Sequence, residues 1–369
     1  MRRVLVLLVA ACAPTPAKPT APPAPSLVND DDRLARMTAE LQDDILSGYE
    51  RDDPPEIESG MIQAAVGGAR IGVGPGDVLI GDELRRAPSR WPLDVARGLP
   101  TEIKSKRLET HLSADQTAAW TFDELSWRIA MCNRTAVIPL RMTSLYAHDG
   151  DRWVPVFEHL SFGHAPQPRP DGKLYGAKMK STPGGDLTDE LSRVLQTGLF
   201  RAAARDRSTI GSGPEALVLG PGIATEAHGP DAIALALVPG GLRAEDRRVG
   251  TIGRSVARST VAYWIGNVDT DLPARPGVAA GKVRLRGTFV FELRKIDEGA
   301  AGPRCGNAGA RCHWVLVQGH VSEPIDDDEL ALSVFGTALI SAKPLQVTCD
   351  DGTRSQPAAA QGPARTSPP

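Results

Sequence analysis

Apolar residues recur three and four apart over Asp32–Glu50, where Leu34, Met37, Leu41 and Ile45 fall on one side of a helix. Leu187, Leu191, Val194, Leu195 and Leu199 repeat that spacing. They follow Gly184-Gly185-Asp186, a start that can cap a helix. After each helical pattern comes a Gly- and Pro-rich middle in which turns are expected. Three stretches alternating apolar with polar residues then close each half. They run roughly over 116–128, 135–147 and 152–162 in the first half, and over 256–269, 281–295 and 312–323 in the second. Helix first and a meander last predicts an α+β fold: two tandem cone-shaped domains, each with N-terminal helices packed on a curved antiparallel sheet.

The two halves share more than a rhythm. Trp153-Val154-Pro155-Val156-Phe157-Glu158-His159-Leu160-Ser161 reappears as Trp314-Val315-Leu316-Val317-Gln318-Gly319-His320-Val321-Ser322, with Trp, two Val, His and Ser at matching positions. Upstream, Leu140-Arg141-Met142-Thr143 matches Leu285-Arg286-Gly287-Thr288, and Ala118–Phe122 matches Val261–Ile265. Further up, Val73-Gly74-Pro75-Gly76 is set against Leu219-Gly220-Pro221-Gly222. The landmarks keep one order, and the offset drifts mainly in the loop Glu298–Cys312, where extra residues cost little closure entropy. A period this long implies a whole domain per copy, not a solenoid repeat.

The Trp-Val-x-Val-x-x-His-x-Ser strand, preceded by Ile138-Pro139-Leu140-Arg141-Met142-Thr143 and the Asp149-Gly150 turn, resembles the SnoaL-like branch of the nuclear transport factor 2-like superfamily. The resemblance covers the last third of each copy, and the helices only by pattern. It implies the cone-shaped fold and, because relatives could catalyse, bind or merely assemble, no single activity.

At the N-terminus, Met1-Arg2-Arg3 precedes the apolar run Val4–Ala11, about 12 Å as a helix against a hydrocarbon core of about 30 Å. Val9-Ala10-Ala11-Cys12 looks like a bacterial lipobox, so residues 1–11 are expected to be a lipoprotein signal and Cys12 the lipidated residue, with palmitate among its acyl chains. Residues 12–29, rich in Pro and Ala, suit a tether. The first domain is expected over 30–164, a linker over 165–183, a divergent second domain over 184–348, and a disordered tail over 349–369. The expected location is the bacterial cell envelope, lipid-anchored in the outer membrane and facing periplasm or surface.

A net charge of −3 gives no basic footprint for nucleic acid. With Cys12 spent on lipid, Cys132, Cys305, Cys312 and Cys349 remain, an even number that favours disulfides in an exported protein. Cys305 and Cys312 flank a Gly-rich loop and are expected to pair; Cys132 and Cys349 stay open. A metal site on Cys305, Cys312 and His313 lacks a second pair at suitable spacing, so no metal and no cofactor is expected.

His159 is the sharpest candidate for chemistry. Alternation sets it on one face with Trp153, Phe157 and Ser161; were that face to line the cone, His159 would act as general base with Asp123 or Glu124 orienting it. The competing account has His and Ser satisfying each other in a half-buried sheet. The second copy favours it, since His320 persists where Asp123 and Glu124 align with Gly266 and Asn267. The expectation is therefore a membrane-anchored, non-catalytic ligand-binding or interaction protein, an intramolecular pseudo-dimer with room for a small apolar ligand. The alternative is a small-molecule lyase or isomerase working in the first cavity.

Overall fold

The structure, a computed structural model, describes residues 30–51, 68–74, 76–80, 101–131, 134–163, 184–201, 206–213, 215–237, 240–252, 260–295, 304–305 and 310–326, with isolated positions 166, 168, 174 and 329. Cys12, Cys132 and Cys349 lie outside the described residues.

The first unit opens with α1 (Asp30–Arg51), whose Met37, Leu41, Ile45 and Tyr49 are buried. Its strands are β1 (Ala69–Ile71), β2 (Val78–Ile80), β3 (Thr101–Leu112), β4 (Ala118–Met131), β5 (Arg134–His148) and β6 (Trp153–Ser161). They form one sheet in the order β2-β1-β6-β5-β4-β3. The second unit has α2 (Asp186–Gly198), a 3-10 turn at Arg207–Thr209, β7 (Leu217–Leu219), β8 (Glu226–His228), α3 (Gly229–Ala236), β9 (Gly240–Ile252), β10 (Val261–Leu272), β11 (Gly281–Lys295), β12 (Arg304–Cys305) and β13 (Ala310–Ser322). Its order, β8-β7-β13-β11-β10-β9 with β12 beside β13, is the same path. The architecture is α+β, with two curved sheets.

Three details depart from the expectation. The sheets are mixed, because β1 runs parallel to β6 and β7 parallel to β13. The N-cap of α2 is Gly185, which has no side chain to bond the first turn, so the start is held by backbone and by the acidic Asp186 and Asp189 near its positive end. The Gly-rich landmark is offset by two residues. Ile71 lies opposite His159 and Leu219 opposite His320, so Gly72 and Gly74 correspond to Gly220 and Gly222. Gly72 N–H bonds Asp77 O at 2.7 Å just as Gly220 N–H bonds Thr225 O at 2.9 Å.

A bulge decides which way each repeated strand points. Leu145 pairs with Phe157 but Tyr146 pairs with Pro155, leaving Val156 as an extra residue; Val317 is the extra residue in β13. One added residue exchanges the faces beyond it. Trp153 and Leu160 therefore point to the α1 side, and Phe157, His159 and Ser161 to the other. The expected single face carrying Trp153 with His159 does not exist.

The α1 side holds the first core, with Leu125, Trp127, Ile129, Leu140 and Trp153; α2 and α3 cover the second, around Leu195, Ile233, Trp264 and Phe289. Between the sheets lies a third cluster shared by both units, including Trp120, Val156 and Phe157 from the first and Tyr263, Val290 and Val317 from the second. Each fully buried large side chain contributes about 1.5–3 kcal/mol of transfer free energy, so the shared layer gains by keeping the two sheets together.

Candidate functional site

The repeated residues of each unit end on the other unit. His159 and His320 stack face to face between the sheets, ring centroids 3.9 Å apart and 20° from parallel, both 0% exposed. Hydrogen bonds link His159 Nδ1 with Thr288 Oγ1 at 3.0 Å and Nε2 with Ser322 Oγ at 2.8 Å. Reciprocal bonds link His320 Nδ1 with Thr143 Oγ1 at 3.1 Å and Nε2 with Ser161 Oγ at 2.8 Å. A neutral imidazole offers one donor and one acceptor, and rotatable hydroxyls match either. Burial holds both rings well below the usual histidine range; for His159 the cations Arg286 and Arg141 add to it, for His320 the neighbouring His159 and then Arg141.

Beside the rings, Arg141 donates to Gly220 O at 2.8 Å and Gly222 O at 3.0 Å of the second unit. Arg286 donates to Gly72 O of the first at 3.1 Å. Burial lowers each guanidinium to about 10, still cationic at neutral pH. The Leu-Arg-x-Thr and His-x-Ser motifs and the Gly loops are thus parts of one reciprocal contact.

His159 and Asp123 are on opposite faces of the first sheet and do not meet. Asp123 points to the α1 side, where Tyr49 donates to its Oδ2 at 2.9 Å and Ser105 to its Oδ1 at 2.8 Å. Glu124 is on the opposite face at the sheet rim, 3.6 Å from Arg107, which also reaches Glu226 of the second unit at 2.6 Å. The arrangement expected for His159 as a general base oriented by either carboxylate is absent.

What replaces it is a polar band inside the first unit. Strand register runs from Arg70 to Glu158, Ser144, Thr121 and Thr110 across β1, β6, β5, β4 and β3. Arg70 and Glu158 are buried and ion-paired at 3.4 Å, and Gln42 of α1 donates to Thr110 at 3.2 Å. Asp123 lies one step along on the same face. Burial dominates its surroundings, with Glu124 adding to the effect against the two hydroxyl bonds, and pushes its carboxyl up to about 7. Such a group gives or takes a proton near neutral pH.

In the second unit the same register reads Val218, Gly319, Phe289, Trp264 and Val249. Gly266 stands where the first unit has Asp123, and a Cβ there would run into the Trp264 indole. Cβ atoms at Gly287 and Gly319 would meet Phe289. Further along β10 the space opens again into a cavity of about 180 Å³ lined by Phe200, Leu237, Val268, Leu285 and Val321, with Arg275 at its edge.

Tyr49, Ser105, Arg70 and Glu158 escaped the sequence reading. One signal was available: Asp123 shares its side of an alternating strand with Ala119, Leu125 and Trp127. Cys305 lies opposite Ala310, two positions from Cys312. Among the described residues, no cluster of three or more His, Cys, Asp and Glu could hold a metal ion, and no helix is long and apolar enough to cross a membrane.

No protein-family model matches the chain, and no curated protein matches it. Among solved structures it is similar to an NTF2-like family protein of Streptomyces avermitilis described as a candidate dehydratase, at 11% identity and a TM-score of 0.27, over 36% of this chain and 99% of that one. It is also similar to an NTF2-like protein with a cystatin-like fold from Novosphingobium aromaticivorans, at 13% identity and 0.27, over 38% and 91%. A third is the association domain of C. elegans CaMKII, at 16% identity and 0.22, over 36% and 95%. Likeness at that level carries no information about activity.

Proposed function

We propose that this chain is a lipid-anchored envelope protein that binds a small ligand without transforming it. Its two NTF2-like units, products of a tandem duplication, are locked together as an intramolecular pair. The observation that carries this reading is the reciprocity of the repeated residues. Arg141, Arg286, His159 and His320 each hydrogen-bond to atoms of the opposite unit. What the two copies share is the contact, and their interiors differ.

Three peripheral features belong to the same reading. Cys12 carries the acyl chains, residues 12–29 hold the domains off the membrane, and Cys305 bridges to Cys312, a pairing supported by the disulfide that Cys312 forms. Replacing Cys12 with Ala is expected to move the protein from membrane to soluble fractions; unchanged retention argues against the anchor. For the pair, a protease site is inserted in the linker 165–183 and the cut protein is sized. Halves that co-elute support a locked pair, and halves that separate at micromolar concentration overturn it.

A second reading, a lyase or isomerase in the first unit, is favoured by one observation: Asp123 sits near neutrality between Tyr49 and Ser105. In that reading Asp123 is the acid–base group and His159 takes no part. Turnover of any carbonyl substrate that Asp123→Asn abolishes would favour it over binding alone.

A further inference from the structure

We infer that the cavity of the second unit is a binding site for a small amphiphilic carboxylate of about six to eight carbons. Its tail lies in the apolar cavity and its carboxylate on Arg275. The inference deepens the binding reading above by giving it a place and a ligand class.

Size comes first. A cavity of about 180 Å³ slightly exceeds the roughly 150 Å³ that suffices for benzene in an engineered apolar void. It fits one ring or a short chain, and excludes a full-length acyl tail. Lining comes second. Phe200, Leu237, Val268, Leu272, Leu285 and Val321 give walls that gain by covering hydrocarbon.

Charge comes third. Arg275 is exposed at the cavity edge and has no carboxylate partner among the described residues. Its backbone is held by paired bonds with Val278, 2.9 Å each way, so the guanidinium is presented from a fixed turn. An apolar pocket with a single unpaired cation at its rim matches a hydrocarbon carrying one anion, and disfavours an amine.

The walls are also built to last. Pro221, Gly222 and Thr225 form one side, on the loop whose carbonyls Arg141 of the first unit grips. Pro166, from the connection between units, lines another part. The cavity is therefore walled by the second unit and the connection, with one wall braced by the first unit.

The test is calorimetry on the purified full chain with hexanoate, octanoate, octan-1-ol and octylamine. Octanoate is expected to saturate one site and to bind about tenfold tighter than octan-1-ol, with octylamine weaker still. Arg275→Gln, an exposed change, should weaken octanoate about tenfold and leave octan-1-ol unaltered. Leu285→Phe, with Val321→Leu as a gentler second filling, should reduce both ligands. The inference is overturned by absence of octanoate binding, by octan-1-ol binding as tightly, by indifference to Arg275→Gln, or by binding that neither filling variant affects. Failure here with co-eluting halves in the linker-cut protein sinks the pocket alone. Separating halves that still bind octanoate sink the locked pair and leave the pocket standing.

Discussion

Inside the first unit the sheet presents Arg70, Glu158, Ser144, Thr121 and Asp123; inside the second, the same backbone positions hold Val218, Gly319, Phe289, Trp264 and Gly266. The outer faces of the two sheets remain matched, histidine against histidine and arginine against glycine loop. Contact and interior obey different constraints. The contact is self-complementary, so a change in one copy must be answered in the other. An interior answers only to its own packing, and three glycines in the second unit make room for two aromatic rings. The comparison teaches that similarity between the halves reports on pairing, and that chemistry is to be sought where they disagree.

The sharpest way to break the comparison is to write the first interior into the second. Gly266→Asp forces a carboxylate against Trp264 with no Tyr49 or Ser105 to meet it. It should cost about 5 kcal/mol, overpacking plus an unpaired buried charge, read as a fall in the urea midpoint. A cost under 1 kcal/mol would mean that the two interiors are interchangeable.

Next in size is Asp123 itself. Its folded carboxyl keeps a proton up to about 7, whereas the unfolded chain releases it near 3.8. Stability from this group is therefore full below 3.8 and lost as pH rises to about 7, on the order of 4 kcal/mol in all. Asp123→Asn should flatten that decline between pH 4 and 8. Parallel stability curves for variant and parent would show that the carboxyl is not held in this way.

The contact itself should respond symmetrically. Arg141→Met and Arg286→Met each strand buried carbonyls and should cost about 2–3 kcal/mol, measured by denaturant unfolding. A large loss for one and none for the other would end the claim of reciprocity.

The smallest effect is that of a single ring of the histidine pair. Both rings are neutral when folded and sit well below the ordinary value of 6.5, with Arg141 and Arg286 as the charged groups nearby. The unfolded chain takes up these protons as pH falls below 6.5, so the stability is present above that pH and lost beneath it. The loss should approach about 1.4 kcal/mol per pH unit for each ring, opposite in sign to the Asp123 trend. His159→Gln should remove one ring's share of the slope between pH 6.5 and 5.

Much of this was legible in the chain. The helical stripes matched α1 and α2, and the closing strands of both halves fell within a few residues of β4, β5, β6, β10, β11 and β13. The faces were not legible. Period-two reasoning assumes an unbroken ladder, and the extra residues Val156 and Val317 reverse the side on which each histidine emerges. Nor could the Asp123 grouping be read, because Tyr49 and Ser105 are separated from it along the chain and meet it only once α1 and β3 dock. The short β1 and β7, three residues each, carry too little pattern to announce a parallel strand.

The exits of the two units are crossed. After β13 the chain returns to the first unit, where Ile325 joins its core and donates its N–H to Val73 O at 3.0 Å. After β6, Gly163 lies beside Ile223 of the second unit, so close that an added Cβ would come within 3.0 Å of it. A ribosome releasing this polypeptide thus delivers a first half missing both a core residue and the cover for its outer apolar layer. That half waits, sticky and unfinished, until the last described strand has been made, so its early life depends on whatever shields exposed hydrocarbon during synthesis.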